Sequence, residues 1–102
     1  MQGPFSAGIH QTDGHRISWE ERRLRRGKKY RVIKAFADAD GGKHEPGETW
    51  NFLASDFSPH DEELMIAVAL PDGSEWRIRM VWMPDRQESI IESFTEYVAA
   101  AD

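Results

Sequence analysis

The chain has 102 residues, no cysteine, 39% hydrophobic and 30% charged residues, and a formal net charge of −5. That length holds one domain with one modest core, and the lack of cysteine excludes disulfide scaffolds, cysteine-based zinc sites and a thiol nucleophile. No apolar run reaches the roughly 18 residues of a membrane-spanning helix, and residues 1–15 lack the basic-then-apolar pattern of a secretory signal, so the expected setting is the cytoplasm, away from membranes.

Residues 1–27 read as a basic leader, partly disordered, since 1–16 are Gly-, Pro- and polar-rich without a sustained period. Ser18 and Glu21 have the spacing of a capping box, which predicts a short helix over 18–26 ending at Gly27. Two turns cannot stand alone in water, so Trp19 or Leu24 must dock on the body. The single globular domain is expected over 28–102. Strand one is predicted over 28–37, with Tyr30, Val32 and Phe36 on one face. Asp38-Ala39-Asp40-Gly41-Gly42 breaks it, and Pro46-Gly47 suits the centre of a type II turn. Strand two is predicted over 48–54 and carries Trp50 and Phe52 on one face.

Residues 55–63 read as a polar, acidic loop. Strand three, 64–70, is apolar on both faces, which predicts cover on both. Pro71-Asp72-Gly73-Ser74 fits a type I turn followed by a left-handed Gly. Strand four, 75–82, places Trp76, Ile78, Met80 and Trp82 on a buried face and Glu75, Arg77 and Arg79 on a charged one. Asp85 and Glu88 form a second capping box. Ile90, Ile91, Phe94, Tyr97, Val98 and Ala101 then recur at helical spacing. The expected fold is α+β: four antiparallel strands in a strongly twisted, SH3-like sheet or half-barrel, closed by a C-terminal amphipathic helix. The runner-up is a flat four-stranded sheet with the helix across one face.

Charge is uneven. Residues 1–34 hold nine Lys and Arg against three acids, +6, and residues 35–102 hold four against fifteen, −11. A basic front on an acidic body is either a polyanion-binding arm or a segment folded back on its own acids.

Three segments carry a resemblance. Tyr30-Arg31-Val32-Ile33-Lys34-x-Phe36, His44-x-Pro46-Gly47-Glu48-x-Trp50-x-Phe52-Leu53 and Glu75-Trp76-x-Ile78-Arg79 resemble a family of short bacterial proteins of unknown function, over about residues 28–98. The resemblance implies a one-domain protein in a bacterial cytoplasm and no activity.

The residues themselves point away from catalysis. There is no nucleophile elbow and no phosphate-binding glycine loop. No histidine spacing suits a metal, and the acidic loop lacks the calcium pattern. The expectation is no enzyme, no catalytic residue, no metal and no cofactor. Glu48 is expected to pair with Arg77 or Arg79 across the sheet. Four tryptophans in 102 residues are unusual. Trp50 and Trp76 read as core and Trp82 as partly open. The leading functional expectation is a protein-binding module or adaptor whose acidic rim (Asp56, Asp61, Glu62, Glu63, Glu92 and Glu96, with Trp82) meets a basic protein partner. One alternative is a nucleic-acid accessory protein acting through residues 16–34, with Arg22, Arg23, Arg25, Arg26, Lys28 and Lys29 on phosphates and Trp19 stacking. The other is an enzyme with a site formed by His44, Glu48 and His60, which requires all three to converge. An exposed sheet edge would also permit a homodimer.

Overall fold

Alternating apolar residues build the body of the protein, a six-stranded sheet in which every pairing is antiparallel. The computed structural model describes residues 1–5 and 24–101. The strands are β1 (Gln2–Phe5), β2 (Lys29–Val32), β5 (Thr49–Ser58), β6 (Glu63–Ala69), β7 (Glu75–Val81) and β8 (Val98–Ala100), in the spatial order β1-β7-β6-β5-β2-β8. A separate two-stranded hairpin joins β3 (Phe36–Ala37) to β4 (Lys43–His44). Between β7 and β8 lie a five-residue helix, α1 (Glu88–Glu92), and a 3-10 turn (Phe94–Glu96).

Cross-strand rungs stack the apolar side chains on one face. Tyr30 lies opposite Trp50, Phe52 opposite Val68, and Ile66 opposite Ile78. Trp50, Phe52, Leu64, Ile66, Val68, Ile78, Met80, Ile91, Phe94 and Val98 are all buried in one cluster. Each such side chain is worth roughly 1.5–3 kcal/mol of transfer free energy. A bulge between Phe52 and Ala54 shifts the register of β5 against β6, an extra residue that strengthens local twist. The two predicted turns form as expected. Gly73 has φ 88° and donates to Leu70 O, and Gly47 has φ 105° within a turn closed by Glu48 N–H donating to Glu45 O.

The architecture is α+β and mostly antiparallel, but it departs from the four-strand expectation in four places. Strand one is interrupted. The chain leaves the ladder after Val32, exposes half of Ile33, and resumes at Phe36 as part of the hairpin. The predicted loop 55–63 is strand up to Ser58, because Ser55, Asp56, Phe57 and Ser58 pair with Ile66, Met65, Leu64 and Glu63. Residues 2–5 add a strand on the far side of β7.

The long C-terminal helix does not form. Asp85 does not cap α1. Its N-cap is Gln87, which makes no side-chain cap bond and instead brackets Val81, donating its backbone N–H to Val81 O and accepting from Val81 N. The Tyr97 carbonyl accepts from Ile33 and Lys34 N–H, turning the chain into β8 along β2. An unpaired β2 would otherwise be an open edge. Ile91, Phe94 and Val98, read as a helical stripe, all still reach the core.

Two segments of the expected leader pack on the body: β1 on β7, and Leu24, which is buried in the main cluster. Most of the predicted 18–26 helix lies outside the described residues.

Candidate functional site

Of the six acids read as a rim, Asp61, Glu62 and Glu63 lie at the β5–β6 turn and Glu92 on α1 reaches Trp82 at the end of β7. The turn 59–62 between β5 and β6 places Glu62 at φ 51°, a left-handed conformation that non-glycine residues adopt at a cost. Its carbonyl accepts from the Trp82 N–H at 2.7 Å. The Trp82 indole packs edge-on against Phe57, with centroids 5.6 Å apart, and its Nε1–H donates to Glu92 at 3.2 Å. Asp61 accepts from Ser58 Oγ in the same turn. Glu63, opposite Val81, is paired with Arg79 at 2.7 Å. Trp82 is half-buried and meets the Glu62 carbonyl and the Glu92 carboxylate, with Met83 exposed beside it, while Asp61 is held within the turn by Ser58 and Glu63 by Arg79. Asp56 lies further along β5 opposite Met65, and Glu96 lies on the 3-10 turn that leads into β8.

Arg79 is not Glu48's partner. It is shared by Glu63 and Asp40, whose hydrogen bonds hold its guanidinium even more firmly protonated than usual. Trp50 is buried. Trp76 is partly buried against the core and donates to Ser74 Oγ.

Arg25 and Arg26 lie exposed in the turn that feeds β2, and Lys29 and Arg31 lie exposed on β2 itself, with Lys28 half-exposed between them. Arg22, Arg23 and the predicted stacking residue Trp19 lie outside the described residues.

A second assembly brings together His44 and Glu48, two of the three residues named for a possible site, and adds Asp38, which sequence reasoning missed. Phe36 and His44 are cross-strand neighbours in the β3–β4 hairpin, and their rings stack with centroids 4.7 Å apart. The Pro46-Gly47 turn carries the chain back so that Glu48 Oε2 lies 2.6 Å from His44 Nδ1. On the other side of the ring, Nε2 lies 2.7 Å from Asp38 Oδ2. The Asp38 side chain is fully buried. Its Oδ1 accepts from the Asp40 and Gly42 N–H groups, and its Oδ2 also pairs with the Met1 ammonium. Glu48 additionally accepts from Trp50 Nε1 at 3.1 Å.

Burial alone would push His44 toward neutrality, but the flanking Glu48 and Asp38 outweigh it and raise the imidazole above 6.5. Burial alone would raise Asp38, but bonds from the Met1 ammonium, His44 and Gly42 outweigh it and hold the carboxyl below 3.8. The His44-to-Glu48 spacing around a Pro-Gly turn was the available signal in the sequence. Asp38 carried none, because only hairpin closure brings it to the ring.

His60 does not join this group. It sits in the exposed turn after β5, whereas Glu48 precedes β5. A ten-residue strand at about 3.3 Å per residue separates the two on the order of 30 Å. The two carboxylates occupy opposite nitrogens of one ring and so cannot converge on a single ion. Among the described residues no group of three or more His, Asp or Glu is arranged to hold a metal, and no helix is long and apolar enough to cross a membrane.

No protein-family model matches the chain, and no curated protein matches it. Among solved structures, an integron cassette protein from the mobile metagenome of Vibrio cholerae is similar. It shares 28% sequence identity, with a TM-score of 0.74 over 76% of this chain and 86% of that one. The chain is thus similar, over three quarters of its length, to a small bacterial protein carried on a mobile gene cassette.

Proposed function

We propose that the protein is a non-enzymatic binding module of the bacterial cytoplasm, and that its acidic, aromatic end takes a basic segment of another protein. The observation that carries this reading is Trp82. It is half-buried, packs edge-on against Phe57, donates its indole N–H to Glu92, and donates its backbone N–H to the Glu62 carbonyl of the turn that also carries Asp61. A rigid tryptophan at the centre of a patch is the usual anchor of a binding hot spot. Surrounding carboxylates steer a cationic partner and reject an anionic one. A non-enzymatic role is supported by His44, whose ring nitrogens are both engaged by carboxylates, leaving no free lone pair to accept a substrate proton. The Ala39 N–H donates to Arg79 O at the edge of β7, which supports reading the sheet as a half-barrel closed in part by the hairpin.

The test is affinity capture from a nuclease-treated bacterial lysate with the full chain and with Trp82→Ala. The expected result is a stoichiometric basic protein that is lost with the variant and weakened at about 0.5 M salt, where screening is strong. Capture indifferent to both overturns the reading. The exposed row of Lys29 and Arg31 on β2, with Arg25 beside it, favours a second reading, phosphate binding along nucleic acid. That reading predicts capture that nuclease abolishes.

A further inference from the structure

The His44 assembly ties three parts of the chain together. Asp38 belongs to the hairpin turn, His44 to β4, and Glu48 to the approach to β5. Both contacts to the ring are short, 2.6 and 2.7 Å, and both acceptors are carboxylates. A neutral imidazole has one N–H and one lone pair. It can donate to only one of the two, and the other contact becomes a lone pair facing an anion. With both carboxylates ionised, an imidazolium with both nitrogens donating satisfies this geometry. Phe36 covers one ring face. The charged groups that bear on the ring are Asp38 from the hairpin turn, Glu48 from the approach to β5, and the Met1 ammonium through Asp38.

We infer that His44 is a pH-operated latch, closed as an imidazolium and opened on its alkaline side by release of Glu48 rather than Asp38. The two carboxylates differ in what they keep. Asp38 is fully buried and retains three other donors, the Met1 ammonium and the Asp40 and Gly42 N–H groups. Held by those donors and sealed from water, it cannot withdraw from a ring lone pair, and a buried anion facing one is costly. Glu48 has a side chain 24% exposed and, among the described residues, the Trp50 indole as its other donor, so water can solvate it. The remaining proton stays on Nε2 toward Asp38, and the Nδ1 lone pair repels Glu48. Opening frees the Glu45–Glu48 turn and takes Glu48 from the Trp50 N–H. The output is local: the approach to β5 loosens while the sheet persists.

The experiment is a nuclear magnetic resonance titration of the full chain, following the His44 ring nitrogens and the Trp50 indole N–H together. At neutral pH both His44 nitrogens should carry protons. The ring should titrate above the ordinary 6.5, and the Trp50 indole signal should move with the same midpoint. A single protonated nitrogen at neutral pH, or a Trp50 signal that ignores the His44 titration, overturns the latch. Glu48→Gln keeps an acceptor for both partners and removes the charge. It should lower the His44 midpoint and leave the indole bonded on both sides of it. An unchanged midpoint in that variant also overturns it.

Discussion

The Phe36 ring lies nearly parallel to the His44 imidazole, 15° between planes and 4.7 Å between centroids. Phe36 also meets Phe94 and Tyr97 edge-on, so one side chain joins the charged hairpin to the apolar end of the chain. Removing it exposes the buried imidazole and leaves a hole against Phe94. Phe36→Ala should destabilise the fold by about 3–5 kcal/mol, measured by urea denaturation. A loss under about 1 kcal/mol would mean that the hairpin does not depend on this contact.

Stability should peak on the mildly acidic side of neutrality. His44 is raised in the folded state. Its contribution is complete below the unfolded value near 6.5 and fades as pH rises through the folded value. Asp38 is depressed. Its contribution is complete above 3.8 and fades as pH falls through the folded value. The two windows overlap between those limits. Chemical denaturation across pH should give a plateau there and a decline on both sides, and a maximum well above neutrality would contradict the assignment of His44.

Glu62 holds φ 51° without being glycine. Glu62→Gly should relieve that conformation and stabilise the protein by about 1 kcal/mol, read as a rise in melting temperature. The same variant removes one carboxylate from the β5–β6 turn, so it should weaken capture of a basic partner while the fold gains stability. A parallel gain in both would argue against a role for this acid.

Gly42 and Gly47 should fail for different reasons. A Cβ on Gly42 would fall 2.7 Å from the Met1 nitrogen and 2.9 Å from Asp38 Oδ2, so Gly42→Ala must displace the carboxylate that holds His44. A Cβ on Gly47 meets nothing within 4 Å but forces an alanine to φ 105°. Gly47→Ala should cost about 1 kcal/mol or more of backbone strain and leave the His44 titration in place, whereas Gly42→Ala should shift that titration. Equal His44 midpoints in the two variants would break the distinction.

Strand β7 was legible because its alternation of apolar and polar residues is nearly unbroken, β6 because it is a short continuous apolar run bounded by turn residues, and both Gly-centred turns followed from residue chemistry. The residues of β8 were misread because Ile91, Phe94 and Val98 satisfy a helical period and a strand returning to the same core equally well. Ser55 and Asp56 looked like loop because composition says nothing about backbone pairing, which here is supplied by Ile66 and Met65. At the acidic end, the residue types were visible but their convergence was not. Glu62 and Glu92 meet Trp82 only through the β5–β6 turn and α1. Arg79 was assigned the wrong carboxylate, since Glu63 lies on the neighbouring strand and Asp40 comes from a hairpin 39 residues earlier.

The pairing of β1 with β7 has a consequence for synthesis on the ribosome. Gln2 meets Arg77 across the ladder, about 75 residues later. At bacterial elongation rates of about 5–20 residues per second, β1 waits roughly 4–15 s for its partner strand to be made. β2 likewise receives β5 early but gains β8 only after residues 98–100 are available. Both flanks of the growing sheet are therefore open while the nascent chain lengthens, and final closure is a late, non-local event of the kind that slows folding. For those seconds a cell that makes this protein quickly holds sheets with unpaired edges, on which edge-to-edge association competes with closure.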